Sequence, residues 1–300
     1  MPELPEVETV RVALGRDLVG KKIKSVHVTN GRVVRRHASV KDFRALAEGR
    51  SVRGVARLGK YLVLGLDSGA HLIIHLGMSG QLLRAKGPKD PKPKHTHAVF
   101  SLSPASELRF VDPRTFGEMF VSLPPGEDAT LEVSKFARLS IGGDGLALRR
   151  AVPELAHLGL DPLEDQFGWD RLAVILRSRT TALKAVLTDQ DIICGIGNIY
   201  SDEILFDAGL RYDRAADSLS TIEIRRLHRA IGEILSEAIK HGGSTLSDEQ
   251  FVDPDGHPGR FQELHQVYGR EGLPCYQCRR PIERVTFHQR STYYCANCQS

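Results

Sequence analysis

The sequence predicts an α+β protein, with an N-terminal antiparallel β-sandwich and leading helix, then a helical domain, then a cysteine-rich C-terminal β-hairpin. Three observations predict this order. Short β-rich runs separated by turn residues fill positions 22–122. Segments of helical periodicity fill positions 170–240. Four of the five cysteines lie in the last 26 residues.

Composition bounds the class of protein. At 300 residues the chain has room for about two domains, and 41% hydrophobic with 26% charged residues is typical of a soluble globular protein. No apolar run approaches the roughly 18 residues of a membrane helix, and the acidic start Met1–Thr9 differs from a secretory signal. We therefore expect a cytoplasmic protein without a membrane partner.

Positive charge is concentrated near the N-terminus. The whole chain has 41 Lys and Arg and 37 Asp and Glu, a net charge of +4. Residues 11–60 hold 14 of these cations and three acidic residues, a local charge of +11. Such a segment indicates a phosphate-rich partner, and the alternative is an ordinary solvated face.

The first domain is predicted over residues 1–125. Pro5 and its acidic neighbours begin a helix that extends to Leu18, with Val7, Val10 and Leu14 on its apolar face. The strands predicted after it are Ile23–Val28, Val52–Leu58, Tyr61–Leu66, His71–Leu76, Ala98–Leu102, Leu108–Val111 and Glu118–Val121.

The second half is predicted to be helical. An irregular connector is expected over 126–150, followed by a helical domain over 151–260. Ser220 and Glu223 form a capping box for its longest helix, which Gly242-Gly243 should end. Residues 244–259, rich in Gly, Asp and Pro, are expected to form a flexible loop.

The C-terminal cysteines predict a metal site over residues 261–300. Two C-x2-C pairs separated by 16 residues have the spacing of a tetrahedral zinc site; its ligands would be Cys275, Cys278, Cys295 and Cys298. Disulfides are the alternative, disfavoured in a reducing cytosol. We expect one structural Zn2+ and a zinc-bound β-hairpin with its turn at 288–291, which holds Arg290 in a fixed pose for gripping phosphate.

The chain start carries candidate catalytic groups. Removal of Met1 would leave Pro2 with a secondary amine of pKa near 8, which is a nucleophile at neutral pH. Its attack on a sugar C1′ would give an iminium that acidifies C2′ and permits elimination of phosphate. Glu3 and Glu6 lie close enough in sequence to transfer protons. The alternatives are a start without catalytic meaning and carboxylates that only stabilise a helix N-terminus.

Further polar residues have structural alternatives. Lys60 follows Gly59 at a strand start and could be a solvated turn lysine. Asn198 precedes a helix, where it could be an N-cap or contribute to a phosphate site. The group of histidines around His95 is explained better by strand alternation and a polar loop than by a second metal.

These segments together resemble the formamidopyrimidine-DNA glycosylase family, nearly from end to end. The resemblance is carried by the start 2–9, by Gly59-Lys60-Tyr61-Leu62, 75–80, Asp112-Pro113-Arg114-Thr115-Phe116-Gly117, 195–200, 267–270 and the cysteine module. Thr115 departs from the pattern, because a second basic residue is common there.

The resemblance implies a bifunctional enzyme that excises 8-oxoguanine and formamidopyrimidines from double-stranded DNA, nicks the strand by β,δ-elimination and acts as a monomer. Pro2 would be the nucleophile, Glu3 the acid/base and Lys60 a third residue of the catalytic site. The residues that would bind DNA are Lys60, Met78, His95, Arg114, Phe116, Asn198 and Arg290. Without the resemblance, Met78 and Phe116 would be assigned to the core. The resemblance also implies a helix-two-turn-helix unit, and a loop over the extruded base at 244–259.

Two alternatives remain open. An endonuclease VIII type enzyme shares the chemistry and the zinc hairpin but prefers oxidised pyrimidines; Leu4 and the set Met78, Arg114 and Phe116 count against it. A noncatalytic zinc-ribbon protein would bind DNA without cutting it.

Overall fold

The computed structural model describes residues 1–124, 145–164, 166–246 and 251–300. In these ranges the helices are α1 (Leu4–Leu18), α2 (Val40–Ala47), α3 (Gly145–Ala151), α4 (Trp169–Arg177), α5 (Leu183–Thr188), α6 (Asn198–Asp207) and α7 (Thr221–Lys240). The strands are β1 (Lys22–Val28), β2 (Val52–Leu58), β3 (Tyr61–Leu66), β4 (His71–His75), β5 (Gln81–Ala85), β6 (Thr96–Ser103), β7 (Ser106–Val111), β8 (Glu118–Ser122), β9 (Glu283–Phe287) and β10 (Arg290–Tyr294). No helix in the described ranges is both long and apolar enough to cross a membrane.

Two antiparallel four-stranded sheets form the N-terminal half. Their strand orders are β1-β6-β7-β5 and β2-β3-β4-β8. Side chains from both sheets, among them Leu64, Phe100 and Phe110, share one buried core. The α+β class and the β-sandwich predicted from the sequence are confirmed. The prediction missed α2 and β5, and in β5 only Leu82 is fully buried, so its pattern carries little signal.

Helix α1 joins the two halves of the molecule. Glu3 is its N-cap and Glu6 completes a capping box with it, while Pro5 lies in the first turn, where a missing N–H costs nothing. Leu4 packs in the core of the helical half, whereas Val10 and Leu14 pack in the sandwich core. The chain start is therefore held at the boundary between the two cores.

The helical half is organised around α6 and α7. Ser220 caps α7 through the predicted capping box with Glu223, and Gly242 and Gly243, with φ of 72° and 78°, end it as predicted. Helix α6 has no exposed face, because its residues 199–206 are all buried. Because this helix is buried on every side, its charged residues must find their hydrogen-bond and ion-pair partners within the protein.

The connector is less irregular than predicted. Residues 145–150 of the expected irregular stretch 126–150 belong to α3, and Leu148 and Ala151 of this helix are buried against Ala56 and Phe120 of the sandwich. Burial of these two apolar residues stabilises the helix. The glycine-rich sequence before it gave no indication that a helix would begin here. The rest of the connector, 126–144, lies outside the described residues.

The segment 244–259 is anchored at its far end. Phe251 is 5% exposed and belongs to the sandwich core. The N–H of Arg84 in β5 donates to the carbonyl of Pro254 at 2.8 Å, and the Arg84 guanidinium pairs with Asp255. Residues 251–255 therefore make contacts with the other domain that the expectation of a flexible loop did not include; residues 247–250 lie outside the described part.

The C-terminal strands form the predicted hairpin with a tighter turn. Arg290 pairs with Phe287, so the turn is His288-Gln289 alone rather than 288–291. Both turn residues have positive φ, 45° and 63°, as a two-residue hairpin turn requires. Arg290 is consequently the first residue of β10 and not a turn residue.

Candidate active site

The Glu3 carboxylate lies at the N-terminus of α6. It accepts hydrogen bonds from the backbone N–H groups of Gly197 at 2.7 Å, Ile199 at 2.9 Å and Tyr200 at 3.4 Å. A helix N-terminus has free donors and a partial positive charge, so it holds an anionic carboxylate there. The N-cap position of α6 is Gly197, and the N-cap interpretation of Asn198 is therefore wrong: Asn198 is the first helical residue.

Lys60 is buried beside Glu3. A Cβ added to Gly197 would lie 2.4 Å from the carboxyl carbon of Glu3 and 2.8 Å from Nζ of Lys60, so a side chain at this position would displace one or both groups. Lys60 is 6% exposed, which overturns the solvated-turn alternative. Burial lowers the pKa of Lys60, and the nearby charge of Glu3 opposes this shift.

A buried ion cluster fixes the β2–β3 turn that carries Lys60. The guanidinium of Arg57 pairs with Asp161 at 2.5 Å and with Glu8 at 3.0 Å, and the Gly59 N–H donates to Asp161 at 2.8 Å. Because Asp161 belongs to the second half of the chain, the cluster ties the turn to both domains. Sequence reasoning missed Arg57 and Asp161, whose separation of 104 positions leaves no local signal.

The Glu6 carboxylate accepts three hydrogen bonds next to Glu3. Its carboxylate accepts from the Glu3 N–H at 2.8 Å, the Tyr200 hydroxyl at 2.5 Å and the Ser244 N–H at 2.6 Å. Burial and the charge of Glu3 raise the pKa of Glu6, against these hydrogen bonds. The Ser244 hydroxyl also contacts Nε2 of His265 at 3.1 Å. Pro2 itself is buried at the edge of this network.

Met78, Arg114 and Phe116 form an exposed group on the sandwich. Met78 is 38% and Phe116 44% exposed, so the core assignment that the sequence alone favours is wrong. Cζ of Arg114 lies 5.1 Å from the centre of the Phe116 ring. The buried Asp112 links the loop that carries Met78 to the loop that carries Arg114 and Phe116. Its carboxylate accepts from the Ser79 hydroxyl at 2.5 Å and from the Arg114 N–H at 3.2 Å. His95 is exposed nearby, where its carbonyl accepts from the Asp112 N–H.

The hairpin packs against the start of α6. Nδ2 of Asn198 donates to the Ser291 carbonyl at 2.9 Å, and the Tyr293 N–H donates to Asp202 at 2.9 Å. Within the described residues, Oδ1 of Asn198 is buried without a hydrogen-bond partner. Arg290 is exposed, and its charge is one of the causes that lower the pKa of Lys60. Arg290 therefore lies near enough to Lys60 for its charge to act on the buried amine.

The four C-terminal cysteines meet as a metal site. Their sulfur atoms all lie within 4.8 Å of one another, with Sγ–Sγ distances of 3.8 Å for Cys275 and Cys298 and 3.4 Å for Cys278 and Cys295. Tetrahedral Zn–S bonds of about 2.3 Å require sulfur atoms about 3.8 Å apart. The thiolates fit a structural Zn2+, as the sequence predicts.

Family models match three parts of the chain. Residues 1–119 match the formamidopyrimidine-DNA glycosylase N-terminal domain, 158–250 match its H2TH domain, and 272–300 match the zinc finger found in FPG and IleRS. The chain belongs to the formamidopyrimidine-DNA glycosylase family. Its enzymes are glycosylases and AP lyases of base excision repair, and this protein is one of them.

Relatives and solved structures of the family cover the whole chain. The formamidopyrimidine-DNA glycosylase of Thermus thermophilus is 41% identical over 299 residues, covering 100% of this chain and 98% of the relative. The crystal structure of the Fpg protein from the same organism has a TM-score of 0.81, with 99% of this chain and 98% of that one covered. A complex of Lactococcus lactis Fpg with DNA containing N7-benzyl-Fapy-dG has a TM-score of 0.82 at 30% identity, with full coverage of both chains.

Family membership accounts for the organisation of the site. In this glycosylase the start of α1, the β2–β3 turn and the start of α6 come from two domains and meet at Glu3. The third matched unit, the zinc finger, adds Arg290 from β10. The candidate site residues are thus dispersed over the sequence and come together around the start of α6.

Proposed function

We propose that the protein removes oxidised purines, 8-oxoguanine and formamidopyrimidines, from double-stranded DNA and then nicks the strand by β,δ-elimination, acting as a monomer in the cytoplasm. The observation that carries the proposal is the Glu3 carboxylate at the N-terminus of α6, directly after Pro2. The Lactococcus lactis relative has been solved with Fapy-dG and abasic-site DNA, which supports the same substrate class.

Pro2 is the proposed nucleophile after removal of Met1. Its secondary amine attacks C1′ of the damaged nucleotide, the bond from C1′ to the base breaks, and the base leaves with a proton. The C1′–O4′ bond then breaks with proton transfer to O4′, which opens the sugar ring and leaves an iminium between Pro2 and C1′. The iminium draws electrons from C2′, so a C2′ proton is lost and the 3′ phosphate leaves; loss of a C4′ proton in a second elimination releases the 5′ phosphate. Glu3 is the proposed acid/base, because its carboxylate is fixed by three N–H donors beside the chain end.

The remaining proposed roles follow from charge and exposure. Lys60, Asn198, Arg290 and His95 bind the phosphates around the lesion, where cations and a helix N-terminus complement the backbone. Met78, Arg114 and Phe116 fill the gap left by the everted nucleotide, which recovers part of the unstacking energy of a few kcal/mol. Zn2+ at Cys275, Cys278, Cys295 and Cys298 supplies the folding energy of the hairpin that carries Arg290.

Each proposed domain contains one of the matched units and extends beyond it. Residues 1–125 supply the catalytic end, 151–260 bind DNA and 261–300 form the zinc finger, with 126–150 as connector. The segment 244–259 is proposed to border the extruded base, because it begins at Ser244, which bonds to Glu6 beneath Glu3.

Borohydride trapping tests the chemistry. The enzyme should form a covalent adduct with an 8-oxoguanine duplex on reduction, and a retained N-terminal tag, which turns the Pro2 nitrogen into an amide, should abolish it. Pro5→Ala, a change at the next proline, should keep the adduct. An adduct that survives in the tagged protein would assign the nucleophile elsewhere, and faster cleavage of thymine glycol than of 8-oxoguanine would favour the endonuclease VIII type.

A further inference from the structure

The loop that carries Arg114 and Phe116 is held from two sides by opposite charges. On one side the fully buried Asp112 accepts from the N–H groups of Arg114 at 3.2 Å and Gly117 at 2.8 Å. On the other side the Arg35 guanidinium donates to the carbonyls of Phe116 at 3.3 Å and Gly117 at 3.0 Å. The carboxylate thus satisfies the donors of the loop and the guanidinium its acceptors.

These contacts restrain the backbone and leave the side chains free. The Phe116 ring is 44% exposed, so its own packing does not define the loop. Thr115 has φ of +55°, a left-handed conformation that a β-branched residue adopts only under restraint. A Cβ added to Gly77 would lie 2.5 Å from the Gly117 nitrogen, so the Met78 loop is pressed against the same backbone.

We propose that Arg35 and Asp112 are positioning residues that hold Arg114 and Phe116 as a preformed wedge for the duplex. The proposal rests on the proposed function, which gives these two side chains their place in the DNA. A preformed loop loses less conformational entropy on binding than a flexible one. This gain in binding free energy applies only where a nucleotide has left the stack. Arg35 and Asp112 therefore increase the selectivity of the enzyme for damaged over intact DNA.

A direct phosphate contact is the competing role for Arg35, whose side chain is 40% exposed in the basic segment. The two roles differ in salt dependence. A lost phosphate contact weakens binding to every duplex alike and reduces the salt slope by about 1. A lost positioning contact lowers affinity for the damaged duplex and leaves the slope unchanged.

Arg36 is the matched control for charge. It pairs with Glu118 at 2.5 Å and lies 4.2 Å over the ring of Phe120. Arg35 also pairs with Glu118, at 2.9 Å, so the changes Arg35→Ala and Arg36→Ala each remove one positive charge and one partner of the same carboxylate. The two changes differ because Arg35 also donates hydrogen bonds to the loop carbonyls of Phe116 and Gly117.

The test is a salt titration of binding to two duplexes, one with an abasic-site analogue opposite cytosine and one undamaged. We expect Arg35→Ala and Asp112→Asn to lower the ratio of the two affinities by about ten-fold, which corresponds to about 1.4 kcal/mol, with an unchanged salt slope. Arg36→Ala should keep the ratio. An equal loss on both duplexes with a reduced slope for Arg35→Ala would overturn the proposal.

Arg35→Ala keeps the test informative if Asp112→Asn does not fold. Borohydride trapping of the unaltered enzyme reports on the proposed chemistry separately. A wild-type enzyme that fails to trap would contradict the proposed function, whereas normal trapping with an unchanged affinity ratio in Arg35→Ala would contradict the positioning role alone.

Discussion

The carboxylate of Glu6 accepts a 2.6 Å hydrogen bond from the N–H of Ser244, 238 positions away in sequence. This bond joins the first helix of the sandwich domain to the segment that leaves the last long helix. Since Glu6 also binds the Glu3 N–H, the position of that segment and the position of the chain start depend on one buried carboxylate.

Glu6→Gln should destabilise the protein and slow base excision. An amide offers one acceptor oxygen in place of two. If that oxygen keeps the bonds from Tyr200 and Ser244, which one oxygen of Glu6 accepts, the NH2 group faces the Glu3 N–H, and an unsatisfied buried donor costs about 1–3 kcal/mol. Urea unfolding measures the loss. Asp17→Asn, which breaks the partly exposed pair with Lys21, should cost less than about 1 kcal/mol. Equal stability of Glu6→Gln and wild type would contradict the role of the carboxylate.

Lys60→Met should stabilise the fold at neutral pH and reduce strand cleavage. Burial lowers the pKa of Lys60 below its usual 10.5, so the folded state disfavours the charged amine. This penalty exists below the unfolded pKa and disappears as pH rises above it. Unfolding at pH 7 and pH 10.5 should therefore show an advantage of the variant that shrinks at high pH. Lys24→Met, an exposed site, should show neither effect.

His265 should make stability fall under acid. Burial lowers its pKa to about 4 from 6.5, so the unfolded chain binds a proton first and stability is lost as pH falls from about 6.5 to 4, at up to about 1.4 kcal/mol per pH unit. His265→Gln keeps a polar partner for Ser244 but does not titrate. The stability difference between variant and wild type should change over this window; a constant difference would refute the prediction.

Removal of zinc should release the hairpin and weaken DNA binding. Without the metal, two short strands lack a core of their own, and the bonds from Asn198 and Asp202 to the hairpin are lost. Chelation or Cys295→Ser should lower affinity for damaged DNA, measured with metal content. Cys194→Ala removes a buried thiol outside the cluster and should retain one Zn2+ per chain. Unchanged affinity in the metal-free protein would contradict the role of Arg290.

Phe251→Ala should unfold the sandwich more easily. The ring is 5% exposed in that core, and Phe→Ala changes in cores cost about 3–5 kcal/mol. Phe116→Ala is the matched control, because its ring is 44% exposed; it should barely change stability and should weaken binding to damaged DNA. Thermal unfolding and DNA binding, measured together, distinguish these opposite patterns.

Sequence patterns predicted the elements whose signals are local. Strands β2 and β3 have the predicted bounds, because dense apolar runs end at turn residues, and the capping box at Ser220 located the start of α7. Helix α3 was missed because its stability comes from burial against the sandwich, which periodicity over seven residues does not reveal.

The residues of the candidate site could be predicted from the sequence, but the surroundings of their side chains could not. The resemblance named Glu3 and Lys60, yet their burial and the glycine that admits both depend on contacts between distant parts of the chain. The exposure of Met78 and Phe116 contradicts their apolar character, and only the loop geometry around Asp112 explains it.

Because the aromatic ring of residue 251 fills part of the sandwich core, the first domain cannot be produced alone with a complete core. A truncated protein that stops at the connector would contain every strand of both sheets and still have a hole where that ring belongs. Recombinant fragments or chimeras of this enzyme should therefore be cut according to side-chain packing, with the ring supplied by the same polypeptide or by an added peptide.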